Sequence, residues 1–281
     1  GVRGAGCGVR GAGCVVHLLE VIMKKVVVLA MLVVSVALLG QDAEAIPENP
    51  ALEMFDADII FAVSFDDGTA IADLAEGAGE PTRMHKKDLP LTTEKGVFGK
   101  AFLANNIIYY EGGKNIDLVL PGSMLMWVCP KDWKCEKGEQ TKEPGFQVFH
   151  TWAKGIELIV AKMGGQPWGN GHFMPYVQYA GGSDGADTCV LYNTATTAKW
   201  PNGEWRMIAV TWGNGCITGS VNGKKSIQKV LRKPMAANPD RFSVGGINGF
   251  NLLIDEVIIL KRQLRDEEIA KVYEESKKFI K

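Results

Sequence analysis

The feature that most constrains the fold is a set of three segments in the last third of the chain: GEWRMIAV at 203–210, GSVNGK at 219–224 and LIDEV at 253–257. Trp205–Trp212 reads as a long strand and Ile217–Val221 as the next one. Asn222-Gly223 then supplies the left-handed backbone that a two-residue hairpin demands. After Asp255-Glu256 comes Val257–Leu260, an apolar run of strand length rather than helix length.

The rest of the chain repeats this grammar. Ile59–Phe65 is dense in β-branched and aromatic residues and ends in the turn Asp66-Asp67-Gly68. Further strands are expected at Ala101–Leu103, Ile107–Glu111, Met124–Cys129, Phe146–His150, Ile156–Ala161, Phe173–Tyr179 and Val190–Asn193. They are short and separated by glycine, proline or asparagine, which predicts an all-β, antiparallel two-sheet sandwich. One helix is expected, at 266–279, with Ile269, Val272 and Tyr273 on its apolar stripe and Asp266, Glu267 and Glu268 at its positive end. Arg265 stands where a capping serine or threonine would normally be, so its start reads as weakly specified. Strands do not alternate with long helices, which argues against a parallel α/β sheet.

Several of these segments together resemble a laminin-G-like, concanavalin A-like jelly-roll domain over roughly residues 55–275. Glu204-Trp205 and Asn222-Gly223 stand in that family's order and spacing. Phe65-Asp66 matches its opening strand, GVFGKAF at 96–102 its first hairpin, and GSMLMW at 122–127 the core strand that ends in Trp. The chain departs from the pattern between Trp127 and Gly203, the region where such domains usually hold ligands. The resemblance implies a binding domain that works outside cells and a structural calcium near the first and last strands, at positions matching Asp66 and Asp255. Calcium takes six to eight oxygen ligands, which a turn such as Asp66-Asp67-Gly68 beside Asp255 could help supply. The plainer alternative is that Asp66 and Asp67 shape a turn while Asp255 and Glu256 accept from backbone amides.

Three regions organise the chain. Residues 1–22 contain GVRGAGC twice in tandem and read as an extension upstream of the true start. Residues 23–45 combine Met23-Lys24-Lys25, an apolar run of about 15 residues and Ala43-Glu44-Ala45, the composition of a cleaved secretory signal. That run falls short of the roughly 20 residues needed to span a bilayer, so no membrane span is expected after cleavage. Residues 46–281 form the domain, entered through an exposed lead carrying Pro47 and Pro50. Export to the cell surface, periplasm or medium would place Cys129, Cys135, Cys189 and Cys216 in an oxidising compartment and favour disulfides. Cys129 with Cys135 would close a short loop and leave Cys189 with Cys216, although four cysteines allow three pairings. The spacing does not suit a zinc ribbon. Acids and bases, 32 against 31, are interspersed, without the basic cluster that nucleic acid requires.

Candidate chemistry is sparse. The alternating acidic triad of laminarinase-type glucanases is absent. Gln147-Val148-Phe149-His150 resembles the Gln-x-His strand of alginate-lyase-type enzymes, with Tyr176 or Tyr179 as a candidate partner, but carries one residue too many. In a regular strand that residue turns His150 to the opposite face. Aromatics are the stronger lead: Trp152, Trp168, Tyr176, Tyr179, Tyr192 and Trp200 cluster in the divergent middle. Indole and phenol rings stack on sugar rings, and Asn170, Asn193 and Asn202 could bond hydroxyls. Trp168, Trp200, Tyr179, Asn170 and Asn202 are the expected ligand contacts. Trp127, Trp205 and Trp212 read as core. The expected role is non-catalytic binding of a glycan or cell-surface protein, the alternatives being a polysaccharide lyase or hydrolase and a protein-binding adhesion module.

Overall fold

Runs of apolar residues too short for helices and too regular for loops pair into two antiparallel sheets. The computed structural model describes residues 46–87, 90–131, 146–162, 173–179, 186–188, 201–246 and 252–280, and the compact unit they build runs Pro47–Lys281. In chain order the strands are β1 (Ile59–Val63), β2 (Leu74–Ala75), β3 (Arg83–Met84), β4 (Thr93–Lys95), β5 (Lys100–Leu103), β6 (Ile107–Glu111), β7 (Gly122–Pro130) and β8 (Phe146–Trp152). They continue as β9 (Ile156–Lys162), β10 (Phe173–Tyr179), β11 (Ala186–Thr188), β12 (Arg206–Gly213), β13 (Cys216–Val221), β14 (Lys224–Val230), β15 (Arg241–Gly245) and β16 (Leu252–Leu260). Helices α1 (Pro50–Phe55) and α2 (Asp266–Ser276) flank them.

A nine-stranded sheet runs β14-β13-β12-β7-β16-β1-β2, with β5 added to β16 and β4 to β5; a seven-stranded sheet runs β11-β10-β9-β8-β15-β6-β3. The architecture is the expected antiparallel jelly-roll sandwich. Side chains from both sheets meet in one apolar core, where Phe61 lies edge-on to Tyr110 and Phe242 at ring separations of 4.9 and 5.0 Å. Trp212 belongs to this core and donates its indole N–H to the Asp117 carbonyl at 2.8 Å.

The nine-stranded sheet is apolar on both faces, which explains why β7 and β16 show no polar alternation. Met126 and Val128 face the core between the sheets, whereas Leu125, Trp127 and Cys129 point to a second apolar cluster outside it. That cluster takes Ala51 and Phe55 from α1 and Ile269 and Val272 from α2, and Trp127 stacks on Tyr273 at 6.2 Å. Trp205 is also buried there.

Turn chemistry follows the sequence closely at the expected hairpin. Asn222 and Gly223 have φ of 50° and 73°, the pair of positive values that a type I′ turn requires. Asn214-Gly215, with φ of 50° and 69°, repeats the device between β12 and β13.

Two expectations about helix ends are corrected. The segment before β1 is not merely an exposed lead: Asn49 is buried and caps α1 by accepting the Ala51 amide at 2.9 Å, with Pro50 opening the helix. Nor is the start of α2 poorly specified by Arg265. Glu268 reaches back to accept the Arg265 amide at 2.8 Å and pairs with Arg262 through both oxygens at 3.0 and 3.1 Å. Burial works against the Glu268 charge, but these bonds hold its carboxyl down at about 2.

Candidate functional site

Asp66 and Asp255 do come to one place, and the backbone turn between β4 and β5 lies against both. The Gly96 amide donates to the Gly99 carbonyl, closing a tight turn. Asp255 Oδ2 accepts the Val97 and Phe98 amides at 2.7 and 3.1 Å, and Asp66 Oδ1 accepts the Lys100 amide at 2.6 Å. The approach is close enough to demand glycine. A Cβ on Gly96 would lie 2.4 Å from Asp255 Oδ2, and one on Gly99, where φ is +89°, 2.2 Å from Asp66 Oδ1. The neighbouring Asp67 shapes its own turn, accepting the Thr69 amide and hydroxyl at 2.7 and 2.9 Å.

Burial dominates the electrostatics of this cluster. Asp255 is fully buried with Oδ1 unpartnered, and desolvation pushes its carboxyl up to about 8 against the two amides that favour its charge. Glu256 beside it sits at φ 53° on a bulge of β16 and accepts from Asn49 Nδ2 at 3.2 Å. Its carboxyl is also raised, by burial first and by the Asp255 charge second. Among the described residues no group of three or more His, Cys, Asp or Glu side chains converges to hold a metal. Of the six to eight oxygens that calcium takes, Asp66 and Asp255 offer two carboxylates, one oxygen of each already accepting backbone amides, and no third acid converges on them among the described residues. The carboxylates fit the turn.

Trp168, Asn170 and Trp200 lie outside the described residues, as do Cys135 and Cys189. Asn202 is exposed in the turn leading to β12. Cys129 and Cys216 are free thiols, so the expected pairing of Cys129 with Cys135 and of Cys189 with Cys216 is not formed here. Cys129 is buried under the second apolar cluster, and burial pushes its thiol up to about 11. Tyr179 offers no open ring for a sugar, because it is buried and belongs to a clamp between the sheets. Its hydroxyl lies 2.8 Å from Asp187 Oδ2 on β11 and 3.1 Å from the Lys233 carbonyl, beyond β14, and Arg232 sits 5.3 Å over its ring. Asp187 also accepts the Arg232 amide at 2.9 Å and guanidinium at 3.1 Å. Burial disfavours the Asp187 charge, yet these donors outweigh it and hold the carboxyl below its ordinary value.

What the register does assemble is a row across the seven-stranded sheet. Cross-strand partners share a face, and Arg83 pairs with Tyr109, Tyr109 with Ser243, Ser243 with His150, His150 with Ile159 and Ile159 with Tyr176. Their chain neighbours Ile108, Tyr110, Val244, Phe149, Leu158, Val160 and Val177 all belong to the core, so the row points away from it. Beside it on the same face lie Glu111, Arg241 and Trp152 in one line, Glu157 opposite Gln178, and Gln147.

His150 reaches this face through a departure from the regular strand expected at 146–150. The register of β8 against β9 shifts between Gln147 and Phe149, leaving Val148 and Phe149 both fully buried. The bulge absorbs the extra residue and returns His150 to the same face as Gln147, reversing the expectation that it points the other way. His150 Nε2 is 3.2 Å from Glu157 Oε2, but neither ring nitrogen makes a well-formed hydrogen bond. Trp152 lies over the imidazole at 3.8 Å between ring centres. Burial lowers the proton affinity of His150, opposed by Glu157, while Tyr176 is raised by burial and hydrogen-bonds with Gln147. Gln147, Gln178, Arg83, Arg241 and Glu111 are exposed, and Trp152, Tyr176 and Glu157 half-buried. Arg241 lies on β15, a strand not expected from the sequence, although RFSVG at 241–245 alternates.

Residues 163–270 match the family model of the concanavalin A-like lectin/glucanases superfamily. The resemblance over residues 55–275 is thus supported at 163–270. No curated protein matches the sequence. Domain 4 of AbnA, a GH43 extracellular arabinanase from Geobacillus stearothermophilus solved in complex with arabinotriose, superposes with a TM-score of 0.56 at 19% identity, over 77% of this chain and 99% of that one. The ligand-binding domain of botulinum neurotoxin serotype D, in complex with N-acetylneuraminic acid, gives 0.59 at 13% identity over 80% of this chain. The binding domain of Paraclostridial Mosquitocidal Protein 1 gives 0.55 at 13% over 78%. This chain spans about half the length of the last two structures, 52% in both cases. At these identities the likeness establishes the shared jelly-roll fold.

Proposed function

We propose that this protein is a carbohydrate-binding module that acts outside the cell and holds a glycan across the outer face of the seven-stranded sheet. One observation carries the reading. The protein's own helices and second apolar cluster cover the outside of the nine-stranded sheet, whereas the other outer face carries exposed Gln147, Gln178, Arg83 and Arg241 around half-buried Trp152 and Tyr176. Amides, a phenol and guanidinium groups on one rigid sheet are the chemistry that bonds sugar hydroxyls while aromatic carbons exclude water. The arabinotriose and N-acetylneuraminic acid named for the two structural neighbours support a saccharide as the ligand class. The apolar run at 26–40 supports export.

A glycan array probed with the purified protein tests this. Binding to a defined set of saccharides is expected, and a Gln147→Ala/Gln178→Ala double variant with an unchanged melting temperature should bind at least roughly tenfold more weakly, as loss of two hydrogen bonds implies. Silence across the array, or a double variant that binds like the parent, would refute it.

A second reading is a polysaccharide lyase, favoured by the bulge that brings Gln147, His150 and Tyr176 to one face. Burial holds His150 towards the neutral form that a general base needs. Against it, His150 is only 6% exposed and covered by Trp152, which leaves little room for a sugar carbon to approach. Appearance of an ultraviolet-absorbing unsaturated product from a uronate polymer, lost in His150→Ala, would establish the lyase instead.

A further inference from the structure

Within that binding face the observations go furthest at Arg83, Tyr109, Arg241 and Trp152, contributed by the four strands β3, β6, β15 and β8 that lie side by side. Arg83 Cζ lies 4.2 Å above the Tyr109 ring. Arg241 Cζ lies 5.7 Å from the same ring and 4.9 Å from that of Trp152. The two rings are 5.5 Å apart and tilted by 39°. One stack therefore holds two guanidinium groups on an aromatic base.

Three features separate this stack from an ordinary sugar-stacking platform. The ring faces are already taken: Trp152 meets Arg241 and Tyr109, and also His150 at 3.8 Å. Both arginines are exposed, and neither makes an ion pair among the described residues. Glu111 stands directly across from Arg241 in register without bonding it, and Glu157, the other acid of this face, lies 3.2 Å from His150 Nε2. Guanidinium groups resting on aromatic rings keep their N–H edges free and lose little freedom when they bond an anion.

We infer that Arg83 and Arg241, held on the Tyr109–Trp152 pair, form an anion subsite that recognises the carboxylate or sulfate group of an acidic glycan. The inference rests on the glycan-binding reading and narrows it to charged saccharides. A planar guanidinium offers paired donors that match two anionic oxygens, which a neutral sugar cannot present. Glu111 beside Arg241 adds repulsion that limits the subsite to a ligand whose anionic group reaches both arginines.

Isothermal titration of the whole protein with three probes of equal length tests it: a tetragalacturonate, its carboxyl-reduced neutral counterpart, and a sulfated galactan tetrasaccharide. The charged probes are expected to bind at least roughly tenfold more tightly than the neutral one, with affinity falling as sodium chloride rises. Arg83→Ala and Arg241→Ala should each weaken them by roughly 10- to 100-fold, weaken any neutral-probe binding far less, and melt like the parent. Preference between the uronate and the sulfated probe identifies which anion the subsite takes. Equal affinity for the neutral probe, or arginine variants that bind charged probes normally, would overturn the inference. If the neutral probe binds equally and only Gln147→Ala/Gln178→Ala weakens it, the glycan-binding face stands and the anion subsite falls. Silence of all three probes overturns the inference, while the array decides the broader reading separately.

Discussion

Replacing Asp255 separates its two roles, acceptor for a buried turn and buried acid. Asp255→Ala removes the oxygen that accepts the Val97 and Phe98 amides, and both residues are almost fully buried. Each buried amide left unsatisfied costs about 1–3 kcal/mol, so the variant should lose about 2–6 kcal/mol. Asp255→Asn keeps one oxygen for those amides and cannot ionise, so at pH 5 it should cost no more than about 1 kcal/mol. The pH dependence has a definite sign. A carboxyl raised from 3.8 to about 8 in the folded state leaves stability intact below the unfolded value and erodes it as pH climbs towards the folded one. The slope approaches about 1.4 kcal/mol per pH unit for each retained proton, and the raised Glu256 adds to it in the same direction. Urea unfolding of parent and both variants from pH 5 to pH 9 reads this directly. Asp255→Asn should show the shallower decline and overtake the parent at the alkaline end. A parent whose stability rises from pH 5 to 8, or an Asn variant as damaged as the Ala variant at pH 5, would refute the reasoning.

Three further outcomes are expected. Asp187→Asn should destabilise by about 1–3 kcal/mol at pH 7, because Tyr179 and Arg232 lose a charged partner. As the Asp187 carboxyl is depressed, that loss should shrink as pH falls from the unfolded value near 3.8 through the folded one, in acid denaturation curves compared with the parent. Gly99→Ala should cost about 2 kcal/mol or more in chemical denaturation, since the left-handed backbone alone costs about 1–2 kcal/mol and the new methyl would meet Asp66. Chelation with EDTA should leave the melting temperature of the parent unchanged, and a drop reversed by added calcium would show that Asp66 and Asp255 do hold an ion.

The fold was legible because its strands announce themselves locally. Phe173–Tyr179 follows from its own aromatic and β-branched content, and the Asn222-Gly223 turn from the positive φ that only such residues adopt cheaply. Two strands escaped for different reasons: KKSIQKV of β14 is mostly polar, and RFSVG of β15 alternates over only five residues, so both depend on the strands beside them. The bulge at Val148-Phe149 escaped for a related reason. Local sequence cannot say that the core will take both side chains, and one inserted residue reverses the face of everything after it. The meeting of Asp66 with Asp255 followed from the family resemblance, yet their use did not, because the amides of Val97, Phe98 and Lys100 compete for the same oxygens.

The same competition explains why the proposed recognition falls to the seven-stranded sheet. A polar group makes a binding site only if the fold leaves its bonding capacity unspent. On the nine-stranded side Asp66 and Asp255 bond the turn at 96–100, Glu256 bonds Asn49 and Glu268 the start of α2. Tyr179 and Asp187, although they stand in the seven-stranded sheet, are spent joining it to the segment after β14. Arg83 and Arg241 contribute almost nothing to the fold beyond resting on rings that would be buried or half-buried anyway. Exposed guanidinium groups held in place without a structural partner cost the free protein little, so nearly all of their bonding free energy remains for a ligand.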